Sequence, residues 1–167
     1  MERTADYWIH QLKLEEHVEG GAFREVYRSN LQLAATSLPG TFGAPRSAST
    51  SIYFLLKHDQ FSAFHRIKSD ECWHFYQGDP LVVYELEKDG SCTQHLLGND
   101  PSQGQQFQCV VKAGSWFASR VKAGGQYALV GCTVAPGFDF ADFELANRSA
   151  LAKDYPAHKS LIHELTR

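Results

Sequence analysis

Residues 65–78, HRIKSDECWHFYQG, decide how this chain is read. They hold the end of one β-strand and the whole of the next, joined by a tight turn. With the preceding FSAF, the first strand places Ala63, His65 and Ile67 on one face, because successive side chains of a strand point to opposite sides. The second places Glu71, Trp73 and Phe75 on one face and ends at Gly78. If those two faces look into the same interior, they bring together one imidazole, one carboxylate and aromatic walls. Small-molecule cavities have that composition, mostly apolar with a few convergent polar groups. The same pair also has a purely structural reading, in which His65 and Glu71 satisfy each other's buried polarity.

The rest of the chain reads outward from that segment as more of the same. It has 167 residues, room for one domain with a real core. Eleven Phe, seven Tyr and three Trp favour strands over helices. From residue 49 to residue 144 short strands follow one another: STSIYFLL, FSAFHRI, ECWHFYQG, LVVYELEKDGSCTQHLL, FQCVVKAGSWFASRV and QYALVGCTVAPG. Gly, Pro and Asp turns separate them, and Asp89-Gly90 offers the residues of a type I′ hairpin turn. This spacing predicts an antiparallel sandwich or barrel rather than βαβ units. FREVYRS adds a strand with Arg24 and Arg28 on one face. Residues 5–15 repeat Trp8, Ile9 and Leu12 near a helical period, and the last twenty residues do so through Leu151, Leu161, Ile162 and Leu165. Residues 34–48, rich in Ala, Ser, Gly and Pro, form a loop long enough to cover a pocket or reach a neighbouring subunit. In APGFDFADFEL the aromatic alternation changes phase, which predicts a bend.

Charge and composition narrow the functions. The net charge is −3 and the 16 basic residues are dispersed, so no basic stripe points to nucleic acid or to a membrane surface. No apolar run approaches the roughly 18 residues that cross a bilayer, and the N-terminus is not signal-like. A cytoplasmic location is expected. Cys72, Cys92, Cys109 and Cys132 are far apart and are expected to be free thiols. The common hydrolase, phosphate-loop and dinucleotide motifs are absent.

The chain resembles the cupins, small double-stranded β-helix or jelly-roll barrels. Of their first motif, G-x5-H-x-H-x3-E-x6-G, it keeps His65, Glu71 and Gly78 and has Asp59 and Ile67 at the other positions. Of the second, P-x-G-x2-H-x3-N, it keeps Gly114 and has Lys112, Phe117 and Val121 instead. More closely it is similar to a group of single-domain cupins without assigned activity. That likeness rests on HVEGGAFREVYRS, SASTSIYFLL, SAFHRIKSDECWHFYQGDPL, VKAGSWFAS and GCTVAPGFDFADFEL. The resemblance implies an all-β jelly roll with short terminal helices. It further implies one domain over residues 1–167 with its barrel over about 17–145, an interior cavity and a homodimer. The sugar-nucleotide epimerases are shape analogues that work through a His base without a metal.

Two of the usual four metal ligands are missing at Ile67 and Phe117, so neither a metal nor another cofactor is expected. His65 and Glu71 are the candidate catalytic pair, His65 as base and Glu71 orienting it. Arg24, Arg28, Trp73, Phe75 and Phe117 are the candidate ligand-binding residues. The expected function is a metal-independent isomerase or epimerase acting on a small, sugar-like molecule. The alternatives are a non-catalytic small-molecule-binding cupin and a metal-dependent cupin enzyme.

Overall fold

A computed structural model describes residues 3–167. The chain opens with helix α1 (Ala5–Leu12), capped by the Thr4 side chain. The strands that follow are β1 (Glu15–Glu16), β2 (Ala22–Arg28), β3 (Gln32–Leu33), β4 (Arg46–Ser47), β5 (Thr50–Lys57), β6 (Phe61–Arg66) and β7 (Asp70–Gly78). They continue as β8 (Leu81–Leu86), β9 (Cys92–Leu97), β10 (Gln108–Val111), β11 (Trp116–Val121), β12 (Tyr127–Ala135) and β13 (Glu144–Leu145). Helices α2 (Arg148–Asp154) and α3 (Lys159–Glu164) close the chain. None of its helices is long and apolar enough to cross a membrane among the described residues.

Two antiparallel sheets face each other, one in the order β1-β2-β5-β12-β7-β10 and the other β13-β6-β11-β8-β9. Between them lies the main core, with Phe54, Trp73, Val83, Phe117 and Val130 among its members. This is the jelly roll expected from the sequence. Several strands read as continuous apolar runs rather than strict alternation, and the reason is that both of their faces are covered. On β5, Phe54 and Leu56 point inward, while Leu55 packs outward against Trp8, Ile9 and Leu12 of α1. On β6 and β11, Phe64 and Ala118 face outward to Leu151, Ile162 and Leu165 at the C-terminal end. Each such fully buried aliphatic side chain contributes about 1.5–3 kcal/mol relative to exposure, so the terminal helices act as lids over the two outer sheet faces.

One local expectation changes, at the β8–β9 hairpin, and the bend expected after Pro136 takes a defined form. The β8–β9 hairpin does not turn through a type I′ pair: Gly90 alone has positive φ (+89°), and Glu87 N donates to Ser91 O. Lys88-Asp89-Gly90 form a three-residue loop, with glycine needed only at its left-handed position. The bend in the 138–145 segment is a 3-10 turn at Phe140–Asp142, with Asp139 accepting from Ala141 N. All four cysteines are free, with Cys109 and Cys132 buried.

Candidate functional site

One mouth of the barrel opens into a cavity of about 280 Å³. Its floor is made by β6, β7 and β12, which contribute His65, Glu71, Cys132 and Val134, together with Ile67 just past β6. One wall is β2, through Phe23, Glu25 and Arg28, and the loop before it, through His17 and Glu19. Phe138, Asp139, Phe140 and Phe143 form the rim.

His65 is held from both sides. Its Nδ1 lies 2.7 Å from Ala63 O, and a carbonyl only accepts, so Nδ1 carries a proton. Its Nε2 lies 2.9 Å from Glu19 Oε2. Burial alone would lower the His65 pKa, but the Glu19 charge and hydrogen bond outweigh it and raise the pKa. Burial would likewise raise Glu19, and the charge and hydrogen bond of His65 hold it below the usual carboxylate range. The pair is therefore imidazolium and carboxylate. Beside it, His17 Nδ1 accepts from Glu19 N at 3.3 Å, and burial lowers the pKa of His17. Ala63 ties the pair together from the backbone, since its N–H donates to Glu19 O at 2.8 Å.

Glu71 behaves in the opposite way. It is only 8% exposed, yet among the described residues it finds no hydrogen-bond partner beyond the weakly donating Cys132 thiol. Burial pushes its pKa up to about 7, with the His65 charge opposing and the Glu19 charge reinforcing the rise. The same small cavity thus holds a pair whose shifts favour its charged form and a carboxyl that changes charge near neutrality.

The sequence placed His65 and Glu71 in one site, and the structure brings them together there. It reassigns the partner of His65, however: Glu19 Oε2, not Glu71, meets Nε2 of the ring, and Ala63 O holds Nδ1. Arg28 lines the cavity, whereas Arg24 does not. A bulge between Glu25 and Tyr27 shifts the phase of β2, so Glu25 and Arg28 share the inner side. Arg24 instead donates to Leu12 O at the end of α1. Trp73, Phe75 and Phe117 point inward as expected but lie deeper, in the packed core beyond the cavity. Phe117 reaches the site only indirectly, its ring centroid 4.1 Å from that of His65.

The donor set does not fit a metal ion. A catalytic ion generally needs three protein ligands and an open position. Here the His65 nitrogens are both committed, Ile67 and Phe117 replace two imidazoles, and His74 stands on the outer face of β7 with Thr133 Oγ1 at 3.0 Å. Among the described residues no three His, Cys, Asp or Glu side chains form a cluster that would hold a metal.

Two facing antiparallel sheets, a cavity at one barrel mouth, and a His and a Glu on consecutive strands define a small cupin barrel. The cupin-superfamily model Cupin_5 (DUF985) matches residues 6–146, and the chain belongs to that family. It is similar over its whole length to the crystal structure of a protein from Shewanella oneidensis, at 40% identity and a TM-score of 0.89, covering 99% of that chain. A hypothetical protein from Leishmania major is 35% identical with a TM-score of 0.90, over 98% of both chains. An oxalate decarboxylase from Bacillus subtilis is 14% identical with a TM-score of 0.54, over 90% of this chain and 36% of that one, a likeness of fold alone. Among curated proteins none matches.

Proposed function

We propose that this protein is an enzyme of the isomerase or epimerase type, moving a proton on a small carbonyl compound held in the barrel, with Glu71 as the proton-transfer group. The observation that carries the reading is the Glu71 carboxyl, buried, open to the cavity and titrating at about 7. An acid–base catalyst is most effective when its pKa lies near the working pH, because it must both take and return a proton. As carboxylate, Glu71 removes a proton from the carbon next to the carbonyl, and the C–H electron pair passes to the carbonyl oxygen as an enolate. The positive charge of His65 opposes the rise in the Glu71 pKa and so keeps the carboxylate form accessible. Glu71 then returns the proton to the same carbon on its opposite face, which restores the carbonyl and gives the epimer. In an α-hydroxy carbonyl compound, once the hydroxyl proton has moved to the former carbonyl oxygen, the proton goes to the neighbouring carbon instead and gives the isomer. Glu19 is a positioning residue in this scheme, because it holds the His65 ring.

The test is solvent-deuterium incorporation, followed by proton NMR, into a panel of small hydroxy- and amino-carbonyl compounds. Wild type is expected to exchange at least one member, and Glu71→Gln to lose on the order of a hundredfold or more in rate. Saturable binding by wild type with no exchange of any bound compound would sink the enzyme reading and leave a binding protein.

A further inference from the structure

The charge arrangement of the cavity bears on what it selects. Among the described residues lining it, four carboxyl groups (Glu19, Glu25, Glu71 and Asp139) face two cations, Arg28 and His65. Both cations are already matched. His65 is held by Glu19, and Arg28 grips Glu25 through Nε at 3.0 Å and Nη2 at 2.6 Å while its Nη1 donates to Phe138 O. Sites for phosphate or carboxylate are built from unmatched Arg or Lys side chains or from converging backbone N–H groups, and the residues lining this cavity include no lysine. Glu71, only 8% exposed and aimed into the space, lacks a strong donor and so asks the ligand for one. At the rim, Phe138, Phe140 and Phe143 pack edge-to-face around one another, and Phe140 stays 59% exposed. Aromatic faces beside a carboxylate attract organic cations, and Asp139 sits between two of these rings in the chain and lines the same rim.

We infer that the cavity takes a small organic cation, an amine on an apolar body, and rejects anions, nucleotide-linked sugars included. The inference rests on the reading of this cavity as a substrate site and names the substrate class. A volume of about 280 Å³ suits a compound of the size of phenethylamine.

The experiment compares one body with three head groups, phenethylamine, phenethyl alcohol and phenylacetate, alongside uridine diphosphate glucose. Binding is measured by ligand-observed NMR and calorimetry at low salt. Phenethylamine is expected to bind at least about tenfold more tightly than phenylacetate. Asp139→Asn, which can still cap the 3-10 turn through its amide oxygen, is expected to narrow that gap severalfold and to leave phenethyl alcohol unchanged. Equal or tighter binding of phenylacetate or the nucleotide sugar overturns the inference. So does an amine that fails to saturate by roughly 10 mM, or a gap that Asp139→Asn leaves intact. Amine selectivity without deuterium exchange on any compound would remove the enzyme reading and keep this one. Exchange confined to anionic carbonyl compounds would do the reverse.

Discussion

Glu19 Oε2 stands 2.9 Å from His65 Nε2, both side chains are buried, and the ring's other nitrogen is held 2.7 Å from Ala63 O. Burial lowers the ring's pKa, but the Glu19 charge and hydrogen bond raise it by more and Ala63 O fixes the Nδ1 proton, so the doubly protonated ring is favoured. Nitrogen-15 NMR of wild type should therefore show His65 Nδ1 and Nε2 still protonated at about pH 8, where a free imidazole with its pKa near 6.5 is neutral. In Glu19→Gln the amide cannot compensate the charge, burial wins, and the ring should be neutral by about pH 6.5. A neutral His65 in wild type at that higher pH would contradict the assignment.

Glu71 gives a stability signature of its own. Its folded pKa of about 7 lies above the ordinary 4.5, so between those values the native state binds the extra proton. Stability therefore falls as pH rises through that window. Glu71→Gln removes the penalty. Relative to wild type it should gain on the order of 3 kcal/mol between about pH 4 and pH 8, in a field otherwise set by His65, Glu19 and Cys132. Urea melts of both proteins across that range provide the measurement, and parallel curves would mean that Glu71 is not held neutral.

The barrel was legible in the sequence because period-2 strands and Gly, Pro and Asp turns are local signals. His65 and Glu71 were legible because they match the cupin motif, whose register, combined with the alternation of each strand, turns both inward from two facing sheets. Glu19 was not, since it sits in the HVEGG loop, which has no periodicity, and reaches His65 only through the fold. Arg24 was misplaced because a one-residue bulge in β2 inverts the faces beyond it without leaving a mark in residue type. For Trp73, Phe75 and Phe117 the facing was right and the depth was missing, since alternation tells inside from outside but not how far down the barrel a residue sits.

Arg46 and Asp142 illustrate the same limit and carry a third prediction. Arg46 Nε and Nη2 meet the Asp142 carboxylate at 2.6 and 2.7 Å with both side chains 4% exposed, and Lys68 Nζ adds a contact at 3.2 Å. Burial would raise the Asp142 carboxyl, but the hydrogen bonds from Arg46 and Lys68 hold it low. The pair anchors β4 to the rim segment that ends at Phe143. Arg46→Ala should cost about 3–5 kcal/mol by stranding a buried charge, whereas Arg46→Met with Asp142→Leu should cost less than either single change. Denaturant melts decide it. Hydrogen exchange should show the rim amides near Phe143 opening in Arg46→Ala, and protection equal to wild type would mean that the pair does not hold the rim.

Gly20 is where backbone geometry governs the charged pair. Its φ is +113°, and a Cβ there would run into the carbonyl oxygen and carbon of Phe61 on β6. The neighbouring backbone is fixed on both sides: Gly20 N donates to His17 O, and Glu19 O accepts from Ala63 N. The close approach of this turn to β6 is what lets the Glu19 side chain reach His65, two residues beyond Ala63. An alanine at Gly20 must push the turn away from the strand, because the obstacle is backbone and not a flexible side chain. Gly20→Ala should cost about 3 kcal/mol or more. It should also separate Glu19 from His65, so that the ring loses its second proton near neutral pH as it does in Glu19→Gln. A destabilised variant whose His65 still holds both protons at about pH 8 would show that the pair survives movement of the turn. Glu19 would then be held by its own side-chain contacts and not by the glycine turn.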